Sequence, residues 1–248
     1  MILVQRESRV DPKDRVAFEA QSREGQWPAF LHFGAPMVAY GTWGFGGPDD
    51  VVVTNTAYED LQHWAATRAE TGAYYPDRAI LEETKDLRPL YGNRDALIRS
   101  SAARLIELDD SVSRPRPFRR RAGQQLADVP PNFGRGSVIS ERTLTIAEGK
   151  KDEFRRLSAE IVWPWLESQG GRAIGFGWDL MGSSNEVITW FAFTSLQEWY
   201  RLARPQAAHA PTLVAEAYTA RANLVTAQRG RLLVIGTDWG AGRDAQAE

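Results

Sequence analysis

Apolar and polar residues alternate with a period of two at the start of each half of the chain, over residues 2–10 and 138–146. Such alternation is typical of a strand that buries one face. After each of these segments, the pattern continues in the order helix, strand, strand, helix, strand. The predicted strands are 2–10, 38–45, 51–57 and 104–108, repeated as 138–146, 173–180, 187–193 and 231–235. The predicted helices are 12–33, 58–69 and 93–103, repeated as 148–168, 194–204 and 211–227.

Residue identities also recur between the two halves. The pair Trp27-Pro28 reappears as Trp163-Pro164, 136 positions later. Further matches keep one order along the unit: Arg6 with Arg142, Phe18 with Phe154, Ser22 with Ser158, Trp64 with Trp199, and Arg94 with Arg221. An ordered set of matches across the whole unit indicates a tandem duplication.

The element order of each repeat is the split βαβ plan of ferredoxin-like folds. A sheet that is covered by helices on one face leaves its other face apolar, so two such sheets must pack together or close on each other. We therefore predict an α+β fold in which two fused ferredoxin-like βαββαβ repeats form a pseudo-dimeric α+β barrel. The predicted boundaries are 1–110 for repeat 1, 111–137 for a basic, proline-rich linker, 138–239 for repeat 2 and 240–248 for a C-terminal tail.

Proline and glycine refine this prediction at two places. Pro28 and Pro164 fall inside the first predicted helix of each repeat, where they should kink or end it because proline removes a backbone hydrogen bond. The run Gly175-Phe176-Gly177 predicts a strand that a neighbouring backbone or a ligand approaches closely.

Composition narrows the possible function classes. Lys plus Arg total 30 and Asp plus Glu total 32, so the net charge of −2 creates no general attraction for nucleic acid or acidic membranes. Cysteine is absent, which excludes disulfides and thiolate metal sites. No apolar run approaches the ~20 residues of a membrane helix, and the four apolar residues before Gln5 are too short a run for a secretion signal. We expect a cytoplasmic protein with a small-molecule partner and no nucleic-acid or membrane partner; a homodimer of the fused pair stays open.

Several motifs of repeat 2 resemble those of a known family. They are Glu141-Arg142-Thr143-Leu144-Thr145-Ile146, Trp163-Pro164-Trp165-Leu166-Glu167, Gly175-Phe176-Gly177-Trp178, Asn185-Glu186-Val187-Ile188-Thr189-Trp190 and Ser195-Leu196-Gln197-Glu198-Trp199. Together they resemble the NIPSNAP family of dimeric α+β barrel domains, and the likeness is weaker in repeat 1. The resemblance implies the activities of the wider superfamily: cofactor-free monooxygenases, polyketide cyclases, isomerases, lyases, haem proteins and members without known catalysis. The fold alone does not select one of them.

Two arginines are the first candidates for chemistry. Arg6 and Arg142 lie on the more apolar face of the first strand of each repeat, so both should point inward. A buried guanidinium needs a partner because its desolvation is costly. Each arginine either anchors a carboxylate, enolate or phenolate of a ligand or forms a structural salt bridge, for example to Glu24 or Glu160.

His32 and Glu167 are the candidate proton-transfer groups. His32 lies in an apolar segment, where a lowered pKa would suit a general base; the alternative is a partly exposed histidine at a helix end. Glu167 would be a general acid or base if it faced a tryptophan-lined cleft, and is otherwise solvated. His63 is expected on the surface, and His209 is a candidate haem ligand without a second metal ligand at a suitable spacing.

Aromatic and amide side chains on the predicted strands and the first helix of repeat 2 are the candidates for substrate binding. Such residues line pockets for flat ligands or pack between sheets. They are Tyr40, Trp43, Asn55, Trp163, Trp178 and Trp190.

These observations favour a cofactor-independent enzyme that acts on a hydrophobic aromatic or polyketide-like metabolite by acid–base chemistry, of the cyclase, isomerase or lyase type. In this hypothesis His32 or Glu167 moves the proton, and Arg142 or Arg6 holds the developing anion. No metal and no cofactor are expected. The alternatives are a cofactor-free monooxygenase, a non-catalytic binding or interaction protein, and a haem-binding barrel that uses His209 or His32.

Overall fold

Eight antiparallel strands close into a barrel in the computed structural model, which describes residues 1–27, 30, 35, 37–67, 93–113, 134–203 and 209–237. Around the barrel the strand order is β1-β3-β2-β8-β5-β7-β6-β4. The strands are β1 (Ile2–Val10), β2 (Met37–Phe45), β3 (Val51–Tyr58), β4 (Ile98–Leu108), β5 (Val138–Ile146), β6 (Arg172–Asp179), β7 (Glu186–Phe193) and β8 (Val225–Ile235).

Helices cover the outside of this barrel. In repeat 1 they are α1 (Arg15–Gln21), which continues as a π-helical turn over Ser22–Gln26, and α2 (Leu61–Ala66). In repeat 2 they are α3 (Lys151–Leu157), a π-helical turn over Ser158–Val162, α4 (Trp163–Ser168), α5 (Leu196–Leu202) and α6 (Thr212–Asn223). None of the helices in the described ranges combines the length and the apolar character that crossing a membrane requires.

The predicted fold is confirmed. The four strands of repeat 1 are neighbours in the order β4-β1-β3-β2, and those of repeat 2 have the equivalent order β8-β5-β7-β6. Each order is the ferredoxin-like sheet, and the two sheets join edge to edge through β2 with β8 and β4 with β6. The domain boundaries stay a prediction because most of the linker, residues 114–133, lies outside the described residues.

A glycine stands at each of the two seams between the sheets. A Cβ atom on Gly41 of β2 would collide with the carbonyl oxygen of Val234 on β8. A Cβ atom on Gly177 of β6 would collide in the same way with the carbonyl oxygen of Glu107 on β4. The close backbone approach predicted for the Gly175-Phe176-Gly177 run is therefore confirmed at Gly177. Both seams therefore require glycine, which has no side chain, at these positions.

We expect Gly177→Ala to destabilise the protein by about 1–3 kcal/mol, because the new methyl group must push β4 away from β6 along a seam of only three paired residues. Chemical denaturation followed by far-UV circular dichroism measures this loss. Gly230→Ala on β8 is the matched control, since a Cβ atom there meets nothing within 4 Å. Equal stability of the two variants would contradict the assigned seam.

The third predicted helix of each repeat is partly wrong. Residues 98–103, predicted as the end of a helix over 93–103, belong to β4, and β8 likewise begins at Val225 within the helix predicted over 211–227. Both strands extend because β1 and β5 offer them hydrogen-bonding partners along their full length, with Ser101 opposite Ser8 and Gln228 opposite Leu144. Tertiary pairing thus overrides the local helical preference.

Of the two effects predicted for Pro164, a kink or the end of the helix, the end is not observed, because α4 continues to Ser168. The π-helical turn directly before it shifts the backbone pairing, so that the Trp163 N–H donates to the Ser158 carbonyl, and Pro164 falls in the first turn of α4, where its missing N–H costs little. Repeat 1 has the same π-helical turn before Trp27. Its Pro28 lies outside the described residues.

The two faces of the sheets have different surroundings. One face lines the barrel interior with apolar side chains of both repeats, including Leu3, Val53, Ile106, Ile139, Ile188 and Leu233. The other face packs under the helices, and in repeat 2 its strand residues Val138, Leu144, Phe176 and Phe191 form a core with Phe154 and Leu157 of α3. A side chain on a strand therefore faces either the interior or the helices, and each candidate residue must be assigned to one of them.

Candidate functional site

A buried carboxylate lies at the centre of the barrel interior. Glu141 on β5 accepts hydrogen bonds from Gln5 Nε2 at 2.6 Å and Trp190 Nε1 at 3.0 Å. Its other oxygen accepts from Arg231 at 2.6 Å and from Arg104 at 3.4 Å. With only 2% of its side chain exposed, Glu141 is thus fully paired by donors from both repeats.

Further polar groups extend this network toward one end of the barrel. Arg104 also donates to Asp179 at 3.0 Å, and the Arg231 guanidinium also pairs with Glu7 and lies 3.9 Å from the ring centre of Trp43. At the opposite, apolar end the open space is about 20 Å³. This volume is close to that needed by a single water molecule, so this end of the interior is closely packed.

A second group of polar residues lies outside the barrel, in the cleft between strands β5, β7 and β8 and the helices of repeat 2. We call it the repeat-two cleft. The alternation of β5 directs Ser140 and Arg142 to this side, opposite Glu141. The narrow base of the cleft has a volume of about 40 Å³ and is lined by Ser140, Arg142, Trp163, Thr189, Trp199, Tyr218 and Arg221, with apolar neighbours between them.

Two wider grooves open from the base of the cleft. One has a volume of about 360 Å³ and runs past Trp199, Gln228 and Phe45. The other has a volume of about 370 Å³ and runs past Tyr218, Arg221 and Ala222. Arg142 lines the base and both grooves, so it stands at their junction. Each groove is within the size range of small-molecule sites.

The charge of the repeat-two cleft is positive. Arg142 and Arg221 both line it, and among the described residues neither has a carboxylate partner. Glu160, one partner proposed from the sequence, instead pairs with Arg156 at 3.8 Å. Burial and the nearby Arg142 lower the pKa of Arg221 to about 10, so the Arg221 guanidinium is still charged at neutral pH. Two cations without a carboxylate partner in the described ranges stand beside a groove, an arrangement that attracts an anion.

Aromatic side chains complete the walls of the cleft. The Arg221 guanidinium lies 5.0 Å from the Phe154 ring centre and 5.7 Å from that of Tyr218. Burial raises the pKa of Tyr218, so its phenol is neutral and available as a donor. The Trp199 Nε1 donor is buried and has no acceptor within the part of the chain that the structure describes. Trp163 enters the cleft directly after the π-helical turn, a feature that is frequent at functional sites.

Among the described residues, two of the candidates, Arg142 and Trp163, lie in the repeat-two cleft. Trp43, Asn55 and Trp190 lie in the barrel interior, where Asn55 accepts a hydrogen bond from Gln5.

The remaining candidates are dispersed. Tyr40 packs edge-on against Trp27 in repeat 1, at 5.1 Å between ring centres, and burial raises its pKa. Arg6, which follows Gln5 on β1, faces the helices of repeat 1. Trp178 donates to Glu107 at 2.8 Å on the outer face. Glu167 accepts from the backbone N–H of Ala173 at 3.2 Å, at the start of β6.

His32 lies outside the described residues. His63 lies on α2, where its backbone N–H donates to Asp60 at the helix start. His209 has a left-handed backbone with φ of 52°. Neither described histidine is among the residues that line the repeat-two cleft, so these residues offer no axial imidazole for a haem there. Within the residues that the structure describes, no three His, Asp or Glu side chains cluster in a way that could hold a metal ion.

Three residues of the repeat-two cleft were missed as site candidates: Tyr218, Arg221 and Trp199. Arg221 and Trp199 each match a residue of repeat 1, namely Arg94 and Trp64. That recurrence was the available signal, because a surface position rarely keeps the same residue in two diverged repeats.

No family model matches the sequence, and no curated protein matches it. Among solved structures, a candidate monooxygenase from Lactobacillus acidophilus matches 98% of this chain and 99% of its own, with a TM-score of 0.59 at 7% identity. A candidate monooxygenase from Fusobacterium nucleatum matches 98% and 97%, with a TM-score of 0.55 at 10% identity. An anthrone oxidase-like protein matches 100% and 96%, with a TM-score of 0.52 at 12% identity.

The NIPSNAP resemblance recurs among the solved structures, over one repeat's length. A NIPSNAP family protein from Agrobacterium tumefaciens matches 43% of this chain and 92% of its own, at 20% identity and a TM-score of 0.36. At these identities the similarities concern the fold. The chain has the dimeric α+β barrel fold, formed within one polypeptide by two ferredoxin-like repeats.

Proposed function

We propose that the protein is a small-molecule enzyme whose site is the repeat-two cleft. Its substrate is a planar, hydrophobic phenol or enol of aromatic or polyketide type, and the reaction proceeds through the anion of that substrate without a tightly held cofactor. Acid–base chemistry of the cyclase, isomerase or lyase type follows from such an anion. The observation that carries the proposal is the pair Arg142 and Arg221 at a groove with aromatic walls and no described carboxylate.

The geometry supports stabilisation of an oxyanion. Cationic donors that are fixed before the reaction lower the energy of a developing negative charge, because they need no rearrangement when the charge appears. Arg142 stands at the junction of both grooves, and Arg221 is held against Phe154. Tyr218 and Trp199 add neutral donors, and Trp163 and Phe191 supply apolar surface for a flat ring.

The proton acceptor is not assigned to the described part of the cleft, which contains neither a carboxylate nor an imidazole. Glu167 is engaged at the start of β6, and His32 lies outside the described residues. In this proposal Arg142 and Arg221 lower the pKa of the bound substrate by stabilising its anion, and the proton passes to a base outside the described residues.

Cofactor-free oxygenation is the second candidate function. It begins with the same substrate anion, which reacts with O2. The whole-chain likeness to two candidate monooxygenases and to an anthrone oxidase-like protein supports this candidate as an analogy of fold. Both candidate functions thus require Arg142 and Arg221 to stabilise the substrate anion.

Anthrone is a suitable test compound because its methylene carbon loses a proton to give a planar, aromatic oxyanion. We expect the protein to accelerate exchange of the methylene hydrogens with D2O under anaerobic conditions by about 100-fold or more over buffer, measured by NMR. Equal exchange with and without protein, together with no detectable binding of anthrone, would refute the proposal. The matched control is Arg156→Gln, which changes an exposed arginine on α3 and should leave the rate unaltered.

Admitting air separates the two candidate functions. Oxygenation consumes one O2 per anthrone and yields anthraquinone and one water, so O2 uptake above the uncatalysed rate identifies a monooxygenase. Accelerated exchange without added O2 uptake identifies acid–base chemistry.

A further inference from the structure

The arginine of α6, Arg221, has a structural equivalent in repeat 1. Arg94 lies 4.3 Å from the ring centre of Phe18, as Arg221 lies 5.0 Å from that of Phe154. In both repeats a serine lies four residues after the phenylalanine: Ser22 after Phe18, and Ser158 after Phe154. Its hydroxyl donates to the carbonyl oxygen of that phenylalanine, at 2.6 Å in repeat 1 and 2.7 Å in repeat 2. The two arginines therefore occupy the same position in the two repeats.

Their partners differ. Arg94 donates to Ser22 Oγ at 2.7 Å and pairs with Asp95 at 2.9 Å, and only 5% of its side chain is exposed. Arg221 has no carboxylate partner among the described residues and borders an open groove. The residue after Arg221 is Ala222, which lines that groove, so the position of Asp95 is occupied in repeat 2 by a side chain without charge.

We infer that Asp95 serves as a built-in anion in repeat 1, and that the residue at this position, Asp95 or Ala222, determines which repeat accepts an anionic aromatic ligand. The inference rests on the proposed function of the repeat-two cleft. A carboxylate beside the guanidinium satisfies its charge and removes the attraction for a second anion. Ala222 supplies no charge, so the guanidinium of Arg221 still attracts an anionic ligand. The chain accordingly takes one aromatic carboxylate or phenolate, at Arg142 and Arg221.

Each repeat also has a second arginine near this position. Arg6 is close enough to Arg94 to lower its pKa, as Arg142 is to Arg221. Both repeats thus have two arginines, and the carboxylate of Asp95 is the charged feature that repeat 2 lacks at the equivalent position.

Crystals of the full chain soaked with 4-bromobenzoate test the inference, because this probe is an aromatic anion at neutral pH and its bromine is located by anomalous scattering. We expect one bromine per chain, in the repeat-two cleft. Ala222→Asp should abolish that peak by supplying the internal anion, whereas Asn223→Asp, which adds the same charge one residue later on the exposed surface, should retain it.

Each other outcome has a distinct meaning. A second bromine near Arg94 in the unaltered chain would overturn the inference and leave the proposed function intact. Loss of the peak in Ala222→Asn as well as Ala222→Asp would show that side-chain volume is responsible and would also overturn it. No bromine at Arg142 and Arg221 in the unaltered chain would overturn the proposed anion site itself, and the inference with it.

Discussion

Replacing Glu141 with leucine is expected to lower the free energy of unfolding by about 3–5 kcal/mol. Glu141 is the acceptor shared by Gln5, Trp190 and Arg231 at the centre of the barrel, and its side chain is 2% exposed. Without it, two buried neutral donors and a largely buried guanidinium lose their common acceptor, and water cannot replace it.

Urea denaturation followed by tryptophan fluorescence measures this loss. Glu160→Leu is the matched control, because Glu160 is 64% exposed and forms a long surface pair with Arg156; its effect should stay within about 0.5 kcal/mol. A loss of less than about 1 kcal/mol in Glu141→Leu would show that the interior tolerates an unpaired network and would contradict the assigned role.

The other large effect is expected in the repeat-two cleft. Arg142→Gln and Arg221→Gln should each weaken the binding of 4-nitrophenolate roughly 10- to 100-fold, because a charged hydrogen bond to an anion contributes about 1.5–3 kcal/mol. Binding of the neutral phenol should change far less, since the guanidinium groups distinguish the ligand forms by charge. The Arg156→Gln variant, altered on the outside of α3, should bind as the unaltered chain does.

Absorbance titration gives both affinities, and far-UV circular dichroism verifies that the variants are folded. Equal weakening of the neutral and the anionic form would mean that the arginines shape the groove without recognising charge. A small effect of Arg142→Gln alone would place the anion in the groove beside Arg221, away from the junction.

The barrel was predictable because duplication and alternation both leave marks in the sequence. Strands β1 and β5 are observed with their predicted limits. The start of β4 was not predictable, because Arg99, Ser100 and Ser101 are polar and mostly exposed, and only pairing with β1 makes them a strand.

The site was harder to predict than the fold. In a closed barrel both faces of a strand are covered, so alternation separates two faces without showing which one borders the helices. Arg142 and Glu141 are neighbours in the chain, yet one lines the repeat-two cleft and the other pairs inside the barrel. For the same reason the strand aromatics Trp43 and Trp190, expected in a pocket, lie in the interior.

Arg221 shows a different limit of prediction from sequence. Its helix was predicted, but whether a helical arginine points to solvent or to a sheet depends on how the helix packs, which local sequence does not determine. Only the packing of α6 against α3 and the π-helical turn brings Arg221 over Phe154 and beside Arg142.

The pKa of 4-nitrophenol bound to the protein tests the central claim most directly. A positively charged cleft favours the phenolate, so the pKa of the bound phenol should fall by about one unit or more below its value in buffer, and it should return toward that value in Arg142→Gln. A bound phenol whose pKa is unchanged or raised would contradict the account, because burial would then outweigh any stabilisation of the anion by Arg142 and Arg221.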